Sequence, residues 1–229
     1  MSADTTQPYS SNFIDDFKTL DLTNWSVAEY DFSHPHFDTD WRKSNVSVDA
    51  AGLKLQLFPH SAGLNPFVGA SLRRHEKTHF GRYSAILRPA KGDGLVTGFF
   101  VYSGPAYQTR HDEIDIEFLG RDTTLIHLAT FVDGELENHF VDLGFDAAVT
   151  EREYGFDWYP DKIIWWVDGC EIYRWSQKDG PVPSVPGYVF ANLWAVDPAL
   201  DSWAGRPARE TLAQSYVNSV RFTPFLGLE

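Results

Sequence analysis

A chain of 229 residues carrying 32 acidic against 19 basic side chains, formally −13 at pH 7, repels nucleic acid and anionic membrane surfaces. Its single cysteine, Cys170, excludes an intrachain disulfide and any cysteine-rich zinc site. No apolar run is long enough to span a bilayer as a helix.

The amino-terminal "MSADTTQPYSS" is polar and lacks the apolar stretch of a signal peptide, so residues 1–10 are expected to be a flexible segment. A single domain is expected over 11–226, with 227–229 a tail. A secreted or extracellular protein whose leader is absent from this chain is the expected localisation, with a cytoplasmic place left open. Strand signals then follow in order. "VSVDAAGLKLQLF" (46–58) predicts two strands around a turn at Asp49 to Gly52, and "GRYSAILRPA" (81–90) alternates. "LVTGFFVYS" (95–103) is a β-rich run. Residues 124–144 and 162–175 each predict a hairpin, turning at Asp133-Gly134 and Asp168-Gly169. The three prolines of "KDGPVPSVPG" (178–187) predict a surface loop, "ARETLAQ" (208–214) reads as helical, and "GYVFANLWA" (187–195) and "SYVNSVRFTPF" (215–225) supply late strands. Of adjacent Trp165 and Trp166, alternation expects one in the core and one outside. Many short strands without alternating helices indicate an all-β sandwich or barrel.

One strand is chemically unusual. In "RHDEIDIEFLG" (110–120), period two puts Glu113, Asp115 and Glu117 on one face and Ile114, Ile116 and Phe118 on the other. The Cα atoms of Glu113 and Glu117 then lie about 13 Å apart. Side chains leaning together bring the carboxyls to roughly 5–6 Å, close to the ~5–5.5 Å of a retaining glycosidase pair. Crowded carboxylates also resist full ionisation, which an acid catalyst requires. The residues by themselves leave two other readings open: a solvated face on an edge strand, or calcium ligands, although Asp112 falls opposite the other three and no EF-hand pattern follows.

The flanking sequence resembles glycoside hydrolase family 16, which includes bacterial lichenases, exopolysaccharide glycanases and xyloglucan transglycosylases. The resemblance runs through "NFIDDF", "DWRKSNV" (40–46), "FFVYSGP", "HDEIDIEFLGRDTT", "VDLGFDA" (141–147), "YGFDWYPDKIIWWVDG" (154–169) and "PGYVFANLW" (186–194), in family order over nearly the whole chain. It implies a β-jelly-roll sandwich of two antiparallel sheets with a substrate cleft on the concave one. It also implies retaining endo-cleavage of a β-linked glucan, with Glu113 as nucleophile, Asp115 its helper and Glu117 the acid/base. Substrate-binding positions implied by it are Arg73, Tyr102, His111, Asn192 and Trp194, with Trp41, Tyr30, Phe32 and His36 behind them. No cofactor is implied for catalysis, and a structural calcium on the convex side is a family-based expectation. The polysaccharide is the implied partner, and the expected state is a monomer.

Departures from the lichenase pattern bear on substrate. His111 stands where lichenases have Trp, Ser71 of "GASLR" (69–73) replaces a binding Glu, and Ala129 of "HLATF" (127–131) stands where a binding Asn would be. The pattern around "GDGLVTGFFVYSGP" also resembles succinoglycan glycanases, whose acidic substrates would meet Arg73, Arg74 and Arg110. The expected substrate is therefore a β-1,3-1,4-glucan or a glucan-backboned bacterial exopolysaccharide. A transglycosylase and an inactive carbohydrate-binding sandwich are the alternatives. The histidines His34, His36, His75, His79, His127 and His139 show no zinc-ligand spacing and read as surface or scaffold.

Overall fold

Alternating and β-branched segments dominate the chain, and the computed structural model, which describes residues 11–227, turns them into strands. The expected flexible segment 1–10 lies outside the described residues, as do residues 228 and 229 of the expected tail. The strands are β1 (Phe13–Asp15), β2 (Trp25–Val27), β3 (Thr39–Trp41), β4 (Val46–Asp49), β5 (Gly52–Pro59) and β6 (Phe67–Thr78). There follow β7 (Gly81–Arg88), β8 (Leu95–Ser103), β9 (Asp112–Leu119), β10 (Leu125–Val132) and β11 (Glu135–Asp142). The last are β12 (Arg152–Tyr159), β13 (Lys162–Val167), β14 (Cys170–Ser176), β15 (Gly187–Ala195) and β16 (Ala213–Pro224).

Their pairing makes the jelly-roll sandwich that the sequence predicts. One sheet runs β11-β10-β9-β8-β15-β6, the other β5-β16-β7-β12-β13-β14. The two meet at a short β5–β6 seam, Phe58 opposite Val68 and Pro59 opposite Phe67. Both hairpins turn where expected: Asp133, Gly134, Asp168 and Gly169 all have positive φ, the type I′ geometry that matches strand twist. Between the sheets lies one core, in which Ile114, Ile116 and Phe118 of β9 join Phe99, Tyr154, Phe156 and Trp165.

Two local expectations are corrected. Residues 208–214 are not helical: a turn at 209–210 leads into β16, where Ala213 and Gln214 pair with Leu57 and Gln56 of β5. The helix α1 is instead the single turn Asp201–Ala204. Trp165 and Trp166 take opposite faces, as alternation expects, but both are buried. Trp165 enters the core, where its indole N–H donates to the Asp115 carbonyl oxygen at 3.2 Å. Trp166 packs on the opposite side, donating to Asp157 Oδ1 at 3.3 Å beneath the Arg82 guanidinium.

Candidate active site

β9 is an interior strand, hydrogen-bonded to β8 and β10 on its two sides, so its acidic face is not an edge device. Register carries that face across the sheet in three rows. Glu117 lies between Gly98 of β8 and His127 of β10, and Gly98 in turn faces Asn192 of β15, which faces Ser71 of β6. Asp115 lies between Phe100 and Ala129, with Phe190 next to Phe100 and Arg73 beyond. Glu113 lies between Tyr102 and Phe131, with Tyr188 and then Lys77 further out. The three carboxylates are thus the middle column of a face walled by aromatic and polar side chains.

Each outer carboxylate is held by an imidazole. His111 Nε2 is 2.7 Å from Glu113 Oε2, its ring stacked on Phe131, and His127 Nδ1 is 2.9 Å from Glu117 Oε2. Between them Asp115 is buried. Burial above all, then the charges of Glu113 and Glu117, raise the Asp115 carboxyl well above the ordinary range, and it is hydrogen-bonded to Glu113. Asp115 is therefore the protonated partner and donates to the Glu113 carboxylate. Burial raises Glu113 too, reinforced by the Glu117 charge and opposed by the hydrogen bonds from His111 and Asp115.

Asp112, on the opposite face as alternation requires, anchors the surroundings. It pairs bidentately with Arg110 at 2.6 and 2.7 Å and accepts from the backbone N–H groups of Asp133, Ser184 and Val185. The turn of the β10–β11 hairpin and the proline-rich loop are thereby fastened to the base of β9.

The expected binding residues fall unevenly. Tyr102 is half-buried beside Glu113, and its ring is 5.2 Å from that of His111. Arg73 lies over the Tyr188 ring at 4.6 Å and near Tyr107 at 5.3 Å. Asn192 is buried in the Glu117 row, its Oδ1 without a protein partner. It fits there because residue 98 is glycine: a Cβ at that position would come within 2.6 Å of Asn192 Oδ1. Trp194 is 5% exposed, stacked on Phe37 at 4.0 Å and close to Trp203, so it is packed into a buried aromatic cluster. Trp41 belongs to the same buried cluster. Tyr30, Phe32 and His36 lie on the segment that runs into β3, with the Phe32 ring against both Tyr30 and Trp41. Two suggested cations are corrected: Arg74 is buried over the Phe13 ring, and Arg110 is committed to Asp112.

His127 is also corrected. It reads as surface or scaffold in the sequence, yet it is buried and bonded to Glu117. Phe100, Phe131, Phe190 and Tyr188 likewise line the site without having been singled out. The signal that finds them is register: each lies directly across from a trio residue or from that residue's neighbour. Among the described residues, no group of three or more His, Cys, Asp or Glu side chains is disposed to hold a metal ion.

Comparison with known proteins agrees with this geometry. The family model described as glycosyl hydrolases family 16 matches residues 33–216. The chain belongs to this family. It is 36% identical over 196 residues to a β-glucanase of Bacillus amyloliquefaciens, covering 85% of this chain and 80% of that one. To a β-glucanase of Bacillus subtilis it is 35% identical over 214 residues, covering 93% and 86%. Among solved structures, the β-glucanase of Bacillus licheniformis superposes with a TM-score of 0.88 at 34% identity over 94% of this chain and 99% of that one. A prokaryotic β-1,3-1,4-glucanase (lichenase) from a mouse hindgut metagenome superposes at 0.89 with 32% identity, covering 94% and 100%.

Proposed function

We propose that this family 16 chain is a retaining endo-β-glycanase acting on a β-1,3-1,4-glucan, with Glu113 as nucleophile, Asp115 as its hydrogen-bond donor and Glu117 as acid/base. The observation that carries the reading is the column Glu113–Asp115–Glu117 on an interior strand, each outer carboxylate held by its own imidazole. Its similarity to several β-glucanases supports the substrate class.

The chemistry follows from the protonation pattern. Asp115, held protonated, donates to Glu113 and keeps it ionised and oriented. The Glu113 carboxylate attacks the anomeric carbon while the glycosidic C–O bond breaks, and the departing oxygen takes the proton of Glu117. This leaves a glycosyl ester on Glu113 and an ionised Glu117. Glu117 then takes a proton from water as the water oxygen attacks the same carbon. Sugar hemiacetal, free Glu113 carboxylate and protonated Glu117 result, so atoms and charge balance. Phe100, Phe190, Tyr102 and Tyr188 offer apolar faces to sugar rings, and Asn192 a polar contact for hydroxyls.

A second substrate reading, an acidic exopolysaccharide with a glucan backbone, is favoured by one feature. In a chain of charge −13, Arg73 and Lys77 both lie over the Tyr188 ring, at 4.6 and 5.5 Å. A polymeric substrate fits an extracellular place of action.

Product profiles on barley β-glucan, lichenan, laminarin, xyloglucan and an acidic exopolysaccharide test the reading. Cleavage of mixed-linkage glucan to short oligosaccharides is expected, with a loss of ~10⁴-fold or more in Glu113→Gln. Inertness on all five polymers, or an unaffected Glu113→Gln enzyme, would overturn it.

A further inference from the structure

His127 has no zinc-ligand spacing in the sequence, and the general mechanism of a carboxylate pair does not require it. Its surroundings make it the most restrained imidazole near the reaction centre. Directly across the β9–β10 ladder from Glu117, it contacts that carboxylate at 2.9 Å through Nδ1. Phe140 packs on its ring at 4.6 Å from β11, and Trp203 meets it edge-on at 5.4 Å from α1. Trp203 is itself held in place, since Arg121 donates to the carbonyl oxygen of the preceding residue, Ser202, at 3.1 Å. Only 5% of His127 is exposed, so the ring has no room to swing away.

A residue that is protonated in one half of the reaction and ionised in the other needs a neighbour that serves both states. Imidazole with its proton on Nδ1 does this: the N–H donates to Oε2, which accepts both as the carbonyl oxygen of the acid protonated on Oε1 and as a carboxylate oxygen. Holding Oε2 also fixes which carboxyl oxygen faces the cleft. We infer that His127 is a positioning residue for Glu117. Its Nδ1–H donates to Oε2 throughout, so that the proton Glu117 gives up and regains is carried on Oε1, the oxygen presented to the glycosidic oxygen. This inference rests on the assignment of Glu117 as acid/base.

The test uses leaving-group dependence, which a merely structural role does not produce. Glu117 is needed to protonate a sugar leaving group but not a dinitrophenolate, which departs unaided. His127→Ala and His127→Asn are compared with wild type on β-1,3-1,4-glucan and on a dinitrophenyl β-oligoglucoside, with Tm measured alongside. The asparagine amide nitrogen stands near the place of Nδ1 and restores a donor even if the alanine variant folds poorly. The expected result for His127→Ala is a fall in kcat/KM on glucan of about 10-fold or more, within the ~10²–10⁴ that general acid catalysis supplies. On the activated glycoside kcat/KM should stay within about twofold of wild type, and His127→Asn should recover part of the glucan loss. Parallel losses on both substrates in both variants, or no loss on glucan, would overturn the inference. Glu117→Ala is the control for the underlying assignment. If it lacks this selectivity, Glu117 is not the acid; if it has the selectivity and the His127 variants do not, only the role of His127 fails.

Discussion

Among single residues, Asp115 carries the clearest conflict between stability and chemistry. Its carboxyl is buried between two glutamates and raised well above the usual aspartate range. An acid with a folded pKa above its unfolded value of ~3.9 binds more protons when folded, so its contribution to stability is lost as pH rises from that value through the folded pKa. Asp115→Asn should therefore have a Tm at neutral pH equal to or above wild type, and the difference should shrink towards pH 4, while glucan turnover falls. Calorimetry across pH checks the sign, and a lower Tm at neutral pH would contradict it. Glu113 gives a second pH signature. Activity needs it ionised, so the acid limb of kcat/KM should lie above the ~4.3 of an ordinary glutamate. Because His111 lowers the Glu113 value, His111→Ala should move that limb to higher pH. Gly98 is a quieter determinant. Gly98→Ala should push Asn192 aside and raise KM by roughly 5-fold, the equivalent of one net hydrogen bond of about 1 kcal/mol.

The elements explain why the trio is held so firmly. β9 is bound laterally by β8 and β10, from below by the indole of Trp165, and at its start by the Asp112 hub. Asp112→Ala would leave Arg110 without its carboxylate and orphan three backbone N–H groups. A loss of about 3 kcal/mol is expected, roughly 1 kcal/mol for each backbone N–H left unsatisfied, and denaturant unfolding measures it. Sequence periodicity makes β9 and both hairpins legible, because period two and Asp-Gly turns are local signals. It does not reveal the Arg82 cover that buries Trp166, or the fate of 208–214, because each depends on residues distant in sequence. His127 escapes for the same reason. Ten residues separate it from Glu117, and only the β9–β10 register brings them together.

Over the whole molecule, we propose that residues 11–226 fold as a single domain around the core shared by the two sheets. Tryptophan fluorescence and far-UV circular dichroism should report one unfolding transition with coincident midpoints. Two separated transitions would argue for independent units. Fold class and the carboxylate trio are readable from the sequence because a sandwich needs alternation and a retaining pair needs carboxylates at close spacing. The cleft walls are not, because five strands contribute to them. The central claim is double displacement by two carboxylates on one face of one strand, and the anomeric configuration of the first product tests it most directly. Proton NMR of β-1,3-1,4-glucan during early hydrolysis should show the new reducing end as the β anomer before mutarotation; the α anomer appearing first would contradict the account.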